Sequence, residues 1–463
     1  MGTQRQHDVI VIGGGSAGYA AAHTARAAGA DVAIVDHGPL GGLCILRGCM
    51  PTKAILRSSE VAALMRRAKE FGLSPVEVRA DLGAIVDRKN QLVQEFADYR
   101  IQQLRDRTFT LYEYRATFRS PHEIDIGGST LCAKAFIIAT GSSPSDIALP
   151  GLSDAGFFTS DSILDLRIEP ASLLVLGGGP VALELGQFFS RLGTKVTILQ
   201  RGHTVLSQMD EDVGRALEAA LKEDGIEVVT DAHLLRVTSE GGQKSVWVKR
   251  HGKERAFAGE AILQALGRCP NISGLQLGAA GVDITEGRIV IDGAMRTSQP
   301  HIFAVGDVND VNPIVHIAIQ QGEIAGYNAT HAGEPPKEID HRLDAEVVFT
   351  EPQVAVLGLH ERTCRTNGIP YLVASYPFVD HGKALCRGDL HGFVKLLAAP
   401  SNGRLLGAQI VGPEAGELLH ELMAVMYYQG TAADLLRIPH YHPTLAEIIT
   451  YPAEALVEQL GAI

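Results

Sequence analysis

The fold is decided by the stretch DVIVIGGGSAGYAAAHTARAAGADVAIV, residues 8–35. An apolar run, a glycine-rich turn, a helix-forming segment and a second apolar run follow one another, which predicts a βαβ unit. In the turn, Gly13 allows a sharp bend, Gly15 lets the backbone approach a pyrophosphate and Gly18 allows the helix to pack on the strand. Asp36 ends the next strand, where a carboxylate can bind ribose hydroxyls. Together these features predict a dinucleotide site.

A second unit of this kind is LLVLGGGPVALELGQFFSRLGTKVTIL, residues 173–199, with Gly177 and Gly179 in its turn. Its second strand is followed by Gln200 and Arg201 instead of an acidic residue. A carboxylate there would bind a ribose 2′-hydroxyl and repel a 2′-phosphate, so its absence beside Arg201 favours NADP(H) over NAD(H). The alternative is that Arg201 is an ordinary solvated loop residue. Two such units predict two nucleotide-binding modules in one chain.

Composition excludes several classes of protein. The 463 residues include 41 Lys and Arg against 53 Asp and Glu, a net charge of −12, which argues against a nucleic-acid partner. No apolar run reaches the roughly 18 residues that a membrane span needs. The N-terminus passes directly into a strand pattern and lacks the features of a signal peptide. We therefore expect a cytoplasmic protein without a membrane partner.

The segment GGLCILRGCMPTK, residues 41–53, carries two closely spaced cysteines, Cys44 and Cys49. Pro51 is predicted to start a helix, which places Cys49 beside a helix N-terminus where the dipole stabilises a thiolate. This arrangement indicates a redox-active dithiol. A zinc site would need a second Cys or His pair at suitable spacing, so no metal is expected. An inert pair of thiols is the remaining alternative.

The segment HYHPTLAE, residues 440–447, places His442 before Pro443 and Glu447 five residues further on. A helix that opens near Pro443 would turn Glu447 back toward the imidazole. A histidine oriented by a carboxylate is a suitable proton donor and acceptor for a thiol. The alternative is a purely structural histidine.

The order of the predicted elements indicates an α/β protein with two Rossmann-like dinucleotide-binding domains and a C-terminal α+β domain. Helices are expected, among others, over residues 51–71, 81–105 and 443–460. The segment HAGEPPKEID has no apolar run and marks a boundary near residues 335–341. The expected segments are 1–150 and 271–340 for the first dinucleotide domain, 151–270 for the second and 341–463 for the last.

Seven motifs along essentially the whole chain resemble those of one family. In order, they are VIGGGSAGYAAA, GGLCILRGCMPTK, ATGSSP, GGGPVALELGQFFSRLG, ALGRCPN, IFAVGDV and HPTLAE. The chain resembles the flavoprotein disulfide reductases, the group of dihydrolipoamide dehydrogenase, glutathione reductase and mercuric reductase. Because the motifs occur jointly and in this order, the resemblance is highly specific.

The resemblance implies FAD in the first domain and NAD(P)(H) in the second, bound at the second glycine turn. The FAD site would be formed by Gly13, Gly15, Gly18, Asp36, Thr140, Gly141 and Asp307, the last on the ribityl chain, and Gly267 would be a further cofactor-binding residue. Cys44 would be the interchange thiol and Cys49 the charge-transfer thiol beside the flavin. Lys53 would lie near flavin N5 with Glu184 as its carboxylate partner. The last domain would form a homodimer, in which His442 and Glu447 reach the partner's active site.

Some residues depart from the family pattern. Leu43 and Leu46 stand where the family usually has Thr and often Asn, and Pro180 replaces an aromatic gate over the flavin. No cysteine follows Cys386, whereas mercuric reductases end in a vicinal cysteine pair. The His–Glu pair, in turn, is absent from mercuric reductases.

The resemblance therefore implies an enzyme similar to dihydrolipoamide dehydrogenase. It would move two electrons between NAD(P)(H) and a small disulfide or dithiol, with a lipoyl group on a carrier protein as one candidate. Another disulfide reductase or a mercuric-type reductase is an alternative. A soluble pyridine nucleotide transhydrogenase or NAD(P)H oxidase is a further one, although such enzymes need no proton donor for thiols.

Overall fold

The computed structural model describes residues 5–106 and 108–461. The α-helices are α1 (Ser16–Ala27), α2 (Gly42–Leu46), α3 (Cys49–Arg66), α4 (Leu82–Arg105), α5 (Leu152–Ala155), α6 (Pro180–Leu192), α7 (Glu211–Glu223), α8 (Val315–Thr330), α9 (Glu361–Asn367), α10 (Gly382–Arg387), α11 (Ala415–Tyr427), α12 (Ala432–Arg437) and α13 (Thr450–Gln459). The strands of the first half are β1 (Arg5–Ile12), β2 (Val32–Val35), β3 (Thr110–Tyr112), β4 (Thr117–Ser120), β5 (Glu123–Ile126), β6 (Ser129–Ile138), β7 (Ser142–Pro144), β8 (Phe158–Thr159), β9 (Ser172–Leu176), β10 (Lys195–Leu199), β11 (Glu227–Val229) and β12 (His233–Glu240). The remaining strands are β13 (Gln243–Arg250), β14 (Lys253–Gly259), β15 (Ala261–Gln264), β16 (Arg268–Pro270), β17 (Ile284–Thr285), β18 (Arg288–Ile289), β19 (Ile302–Ala304), β20 (Ala345–Val348), β21 (Gln353–Gly358), β22 (Leu372–Pro377), β23 (Phe393–Ala398) and β24 (Leu405–Gly412).

The chain divides into two compact units. The first takes the described residues of 1–54, 87–146 and 267–339, and the second takes those of 55–86, 147–266 and 340–463. The boundaries of the four expected segments and their cofactors stay predictions.

The first unit is built on a mostly parallel sheet in the order β3-β2-β1-β6-β5-β4, with β19 also paired to β6. Central strand β1 is parallel to both β2 and β6, and its second half, residues 9–12, is apolar and buried on both faces, as expected for a strand covered on each side. Helices α1 and α8 cross in backbone contact, because a Cβ at Gly322 would lie 2.3 Å from the Ala17 carbonyl oxygen. This packing holds the N-terminus of α1 at the carboxyl end of β1.

The second unit contains three sheets. A parallel sheet in the order β11-β10-β9-β15-β8 carries α6, and an antiparallel sheet joins β12, β13 and β14. The third is antiparallel, in the order β20-β21-β24-β23-β22, and packs against α11 and α13. The α/β class with two Rossmann-like βαβ units and a C-terminal α+β part is thereby confirmed.

A buried charge cluster ties α7 to the C-terminal sheet within the second unit. Lys395 on β23 is 2% exposed, and its Nζ lies 3.0 Å from Asp210 Oδ2 and 2.9 Å from Asp212 Oδ2. Glu361 Oε1 lies 3.2 Å from the same nitrogen, and the Gln409 amide donates to Asp210 at 2.8 Å. A buried cation is tolerated because these groups pair it and satisfy its hydrogen bonds.

Two helix boundaries differ from the sequence expectation. The helix expected from Pro51 begins at Cys49, since a proline within the first turn removes only an N–H that has no intrahelical partner. The segment expected as one helix over 443–460 is a 3₁₀ turn, Leu445–Ile449, followed by α13. The Thr444 N–H donates to the Glu447 carboxylate at 2.8 Å at the start of that turn, which satisfies a backbone donor there. Within the described ranges, no helix is long and apolar enough to cross a membrane.

Candidate active site

The first glycine turn joins β1 to α1, and two of its glycines are required by the chain itself. Gly13 has φ +108°, and a Cβ there would lie 2.3 Å from the Ala139 carbonyl oxygen. A Cβ at Gly18 would lie 1.9 Å from the Gly13 carbonyl oxygen. Neither position accepts a side chain, because the turn and the helix–strand contact occupy that space.

Gly15 differs from both, since its backbone is extended (φ −69°, ψ −169°) and a Cβ would meet nothing closer than Gly42 Cα at 3.8 Å.

The second turn repeats this contrast. Gly177 has φ +112° and its Cβ would lie 2.5 Å from the Ala265 carbonyl oxygen, whereas Gly179 has φ −87° and open space around it. The chain does not need a glycine at these two helix N-termini, but a closely approaching pyrophosphate does. The residues present therefore fit a dinucleotide at each turn.

The residue that follows the second strand of each βαβ unit differs: it is Asp36 after β2 and Gln200 after β10. Asp36 accepts hydrogen bonds from the backbone N–H of Gly14 at 2.6 Å and of Gly38 at 2.8 Å. In the second turn, the buried Gln200 amide donates to the Thr204 carbonyl at 3.1 Å. The first turn thus presents a negative charge beside its glycines, and the second does not.

Arg201 follows Gln200 and is exposed, and its backbone N–H donates to Gln200 Oε1 at 3.1 Å. Within the described part of the chain, its guanidinium makes no hydrogen bond or ion pair. Nearby His203 pairs with Asp231, Nδ1 to Oδ1, at 2.5 Å. The exposed charge next to the second turn is therefore carried by Arg201.

Thr140 and Gly141 follow the end of β6 and bind Asn271 of the neighbouring loop. The Thr140 hydroxyl donates to the Asn271 carbonyl at 2.8 Å, and the Asn271 N–H donates to the Gly141 carbonyl at 2.9 Å. The Gly267 carbonyl accepts from the Ser145 N–H at 3.0 Å. The predicted residues of these two motifs thus lie on adjoining loops of the first unit.

Asp307 is held by Ser142, and Ser142 is held in turn by Arg268; sequence reasoning missed both residues. The Ser142 hydroxyl donates to Asp307 Oδ2 at 2.6 Å, and Arg268 Nε donates to the same hydroxyl at 2.9 Å. Arg268 also donates to the Ser142 carbonyl at 2.9 Å. Both residues stand inside motifs already quoted, ATGSSP and ALGRCPN, next to residues that were named.

The two cysteines of the 41–53 segment are brought together. Both are thiols in the structure, with Cys44 in the short helix α2 and Cys49 as the first residue of α3. Hydrogen bonding with Cys49 and burial raise the pKa of the Cys44 thiol. A proton held on Cys44 that is donated to Cys49 favours the thiolate at Cys49, where the N-terminus of α3 also stabilises negative charge.

The cysteine segment also touches the first glycine turn. Gly42 has φ +77°, and a Cβ there would lie 2.7 Å from Gly15 Cα. The short helix that carries Cys44 therefore starts against the N-terminus of α1. Any pyrophosphate bound at Gly15 would lie beside the redox segment.

Lys53 and Glu184 lie on α3 and α6. The positive charge of Lys53 lowers the pKa of Cys44, opposing the larger effect of Cys49. Glu184 is 4% exposed and accepts the backbone N–H of Phe349 at 2.9 Å. The pairing of Lys53 with Glu184 stays a prediction.

His442 and Glu447 form the expected pair. His442 Nδ1 lies 2.9 Å from Glu447 Oε1, and Glu447 Oε2 accepts the Thr444 N–H at 2.8 Å. The Thr444 N–H and His442 lower the pKa of Glu447, so the carboxylate stays charged. The imidazole is 82% exposed and the carboxylate 20%, so the ring is held at the surface with Nε2 free of the Glu447 bond.

Two further histidines lie near this pair. His440 Nε2 lies 2.8 Å from Glu421 Oε1, so this ring is engaged by a carboxylate other than Glu447. His381 is 2% exposed, and its charge interacts with Glu447 and His442. Burial lowers the pKa of His381. Sequence reasoning missed His381 because it stands about sixty residues away, outside any motif.

Residues 5–106 and 108–461 contain no group of three or more His, Cys, Asp or Glu side chains that could hold a metal ion. The groups available for chemistry are two thiols and an imidazole–carboxylate pair, together with two glycine turns that fit dinucleotides. The fold and these residues define a class of protein, the dinucleotide-dependent thiol oxidoreductases.

Comparison with known proteins identifies the family. The model of the pyridine nucleotide-disulphide oxidoreductases matches residues 7–322, and that of their dimerisation domain matches residues 345–453. The chain belongs to the pyridine nucleotide-disulphide oxidoreductase family. The resemblance found in the sequence is confirmed: the family binds FAD and a pyridine nucleotide, and the dimerisation domain supports a homodimer.

Proteins similar to this chain include a mercuric reductase and a dihydrolipoyl dehydrogenase. Mercuric reductase from Bacillus cereus is 33% identical over 443 residues, which cover 95% of this chain and 70% of that protein. Dihydrolipoyl dehydrogenase from Bacillus subtilis is 33% identical over 459 residues, which cover 98% of each chain. Among solved structures, the HOCl-induced flavoprotein disulfide reductase RclA from Escherichia coli has a TM-score of 0.85 at 25% identity, covering 96% of this chain and 99% of its own.

Proposed function

We propose that this chain is a homodimeric flavoenzyme that moves two electrons between NADP(H) and a small disulfide or dithiol, with a lipoyl group as substrate. The observation that carries the proposal is the contact between Cys44 and Cys49, at the N-terminus of α3 and beside the Gly15 turn. The cytoplasmic location and a carrier protein for the lipoyl group stay predictions.

The thiols and His442 account for the disulfide chemistry. FAD, when bound, supplies the two-electron exchange between the nicotinamide and the thiols. His442 takes the proton from the Cys44 thiol, and the resulting thiolate attacks one sulfur of the substrate disulfide; the S–S bond breaks, and the other sulfur leaves as a thiol after taking that proton back from His442. The Cys49 thiolate then attacks the Cys44 sulfur of the mixed disulfide, which closes the Cys44–Cys49 disulfide and releases the second substrate sulfur as a thiolate that takes a proton from solvent. Oxidation of a dithiol follows the reverse steps, with His442 as base.

Glu447 orients the imidazole in this scheme. Its carboxylate accepts from Nδ1, so that Nε2 is the nitrogen that exchanges protons with the substrate sulfur. The His442 side chain is exposed on its own protomer, which supports a role in the active site of the partner protomer of a homodimer.

The lipoyl substrate is favoured by the motifs around this pair. HPTLAE and the preceding AGELLHELM resemble lipoamide enzymes more than glutathione reductases. The nearly complete mutual coverage with a dihydrolipoyl dehydrogenase supports the same reading.

The test is a comparison of cysteine variants in the purified holoenzyme. We expect Cys44→Ser to abolish lipoamide-dependent turnover while FAD stays bound and is still reduced by NADPH. Cys49→Ser should lose the long-wavelength absorbance band that wild type develops with one equivalent of dihydrolipoamide. Cys386→Ser, which changes an exposed cysteine outside the motif, should behave as wild type.

Normal disulfide turnover by Cys44→Ser would refute the dithiol mechanism. Nicotinamide exchange or oxygen consumption that persists in that variant at the wild-type rate would identify a transhydrogenase or an oxidase. NADPH oxidation that is faster with Hg²⁺ than with lipoamide would identify a mercuric-type reductase.

The preference for NADP(H) is supported by the exposed, unpaired Arg201 guanidinium next to a strand end without a carboxylate. One charge-assisted hydrogen bond to a 2′-phosphate is worth about 1.5–3 kcal/mol, or roughly 10- to 100-fold in affinity. We expect Arg201→Ala to lower kcat/KM for NADPH by that factor and to leave NADH within about twofold. Gln200 is a poor site for the test, because a carboxylate there would face the Thr204 carbonyl. A wild-type enzyme that prefers NADH, unchanged by loss of Arg201, would refute the assignment.

A further inference from the structure

In the first unit, the Asp307 carboxylate stands beside the first glycine turn. Asp307 lies just beyond the carboxyl end of β19, which is parallel to β6, the neighbour of β1. The preceding residue packs on α1, because a Cβ at Gly306 would lie 3.2 Å from the Ala17 Cβ. Ala17 is the second residue of α1, the helix whose N-terminus forms the glycine turn. The carboxylate is therefore placed at the edge where an open parallel sheet binds its ligand.

The side chain of Asp307 is bound on one oxygen and open on the other. The Ser142 hydroxyl donates to Oδ2 at 2.6 Å, whereas Oδ1 accepts no hydrogen bond from the residues that the structure describes. Asp307 is partly exposed, while Ser142 is 9% exposed. A carboxylate only accepts hydrogen bonds, so a ligand at Oδ1 must present a donor. Along the sugars of a dinucleotide, the donors are hydroxyl groups.

Arg268 fixes the direction of the hydrogen bond between Ser142 and Asp307. Its Nε donates to the Ser142 hydroxyl oxygen at 2.9 Å, and its Nη2 donates to the Ser142 carbonyl at 2.9 Å. A guanidinium only donates, so the hydroxyl accepts from Arg268 and its own hydrogen is directed to Asp307. Ser142 and Arg268 lie on the paired strands β7 and β16, so a β-ladder sets their positions.

The backbone next to Asp307 is held by a different residue. Gln321 on α8 is fully buried, and its Oε1 accepts the Gly306 N–H at 2.7 Å. Loss of the Ser142 hydroxyl therefore frees the Asp307 carboxylate to rotate but leaves this backbone bond in place. The hydroxyl and the guanidinium thus control the orientation of one side chain and not the fold of the turn.

We propose that Ser142 and Arg268 are positioning residues for the cofactor of the first unit, which orient the Asp307 carboxylate so that Oδ1 accepts a sugar hydroxyl of FAD. Neither residue touches the cofactor in this assignment, and both act through Asp307. This role deepens the proposed function at its cofactor site, since it rests on the predicted contact between Asp307 and FAD. It needs no assumption about the disulfide or dithiol substrate.

Retention of FAD by the purified holoenzyme tests this role without any turnover. The holoenzyme is diluted in steps and ultrafiltered, and the flavin fluorescence of the filtrate gives the Kd for FAD. We expect Ser142→Ala to raise that Kd about tenfold, equivalent to about 1.4 kcal/mol. Ser143→Ala is the matched control, because this neighbouring hydroxyl donates to Asn271 Oδ1 at 2.8 Å. Its Kd should stay at the wild-type value.

Double variants show whether the effect passes through Asp307. Ser142→Ala should raise the Kd no further in an Asp307→Ala enzyme, because the carboxylate that the hydroxyl orients is gone. Arg268→Met should weaken FAD binding by itself and add little to Ser142→Ala. Ser142→Thr keeps a hydroxyl and Ser142→Val has nearly the same shape without one, so this pair isolates the hydroxyl if the alanine variant does not fold. The Thr variant should retain FAD about tenfold more tightly than the Val variant.

Three results would overturn the assignment. Equal Kd values for Ser142→Ala and Ser143→Ala would show that the Ser142 hydroxyl does not act on FAD binding. An equal effect of Ser142→Ala with and without the Asp307 carboxylate would show that it acts by another route. A wild-type Kd in Asp307→Ala would refute the predicted contact with FAD and the positioning role together. Dithiols take no part in these measurements, so failure to oxidise dihydrolipoamide would refute the lipoyl substrate and leave the cofactor result standing.

Discussion

Gly179→Ala should separate the nucleotide-binding role of the second turn from its role in the fold. The backbone at Gly179 is extended, and an added Cβ meets no heavy atom of the described chain within 4 Å. The folded state therefore accepts the methyl group without strain. Alanine also has fewer conformations than glycine in the unfolded chain, so the free energy of unfolding should rise by about 0.4–1 kcal/mol.

Nucleotide binding should move the other way. The methyl group would occupy the space through which a pyrophosphate approaches the N–H groups at the start of α6. Loss of one charge-assisted hydrogen bond costs about 1.5–3 kcal/mol, which raises Kd for NADPH by roughly 10- to 100-fold.

The assay pairs thermal unfolding, followed by circular dichroism, with NADPH binding, followed by calorimetry. Gly177→Ala is the matched control, because its φ of +112° and the Ala265 carbonyl oxygen 2.5 Å from the new Cβ should lower Tm clearly. Unchanged Kd in Gly179→Ala, or wild-type Tm in Gly177→Ala, would refute the division of the two glycines into ligand and fold roles.

Two further predictions concern the second unit. His442→Ala should slow the thiol half-reaction by about 10²–10⁴-fold in stopped-flow measurements and barely change flavin reduction by nicotinamide. Glu447→Gln should slow the thiol half-reaction less. Equal losses in both half-reactions would indicate a disturbed dimer instead. Lys395→Met should lower the free energy of unfolding by about 3–5 kcal/mol in urea titrations, because it leaves Asp210 buried without its cation. Asp212→Asn should lower the free energy of unfolding much less, because the Asp212 side chain is half-exposed. A loss for Lys395→Met of no more than about 1 kcal/mol would show that the cluster is not a buried ion pair in solution.

The sequence by itself determined the local features of this protein. The alternation of apolar runs, glycine turns and helix-forming segments predicted both βαβ units, because strand and helix periods are properties of neighbouring residues. The spacing of Cys44 and Cys49 and that of His442 and Glu447 predicted two reactive pairs, since the partners of each pair are close neighbours in the chain. These contacts span only five residues and so need no long-range information.

Only the tertiary structure supplies the contacts that enforce the separate roles the motif predicts for its glycines. The Ala139 carbonyl oxygen that excludes a side chain at Gly13 comes from the residue after β6, over a hundred residues away in the chain. The same holds for the bond of Ser142 to Asp307 and for that of Arg268 to Ser142. Such facts depend on which distant segments the folded chain brings within hydrogen-bond distance, and no local pattern of residue types encodes that distance.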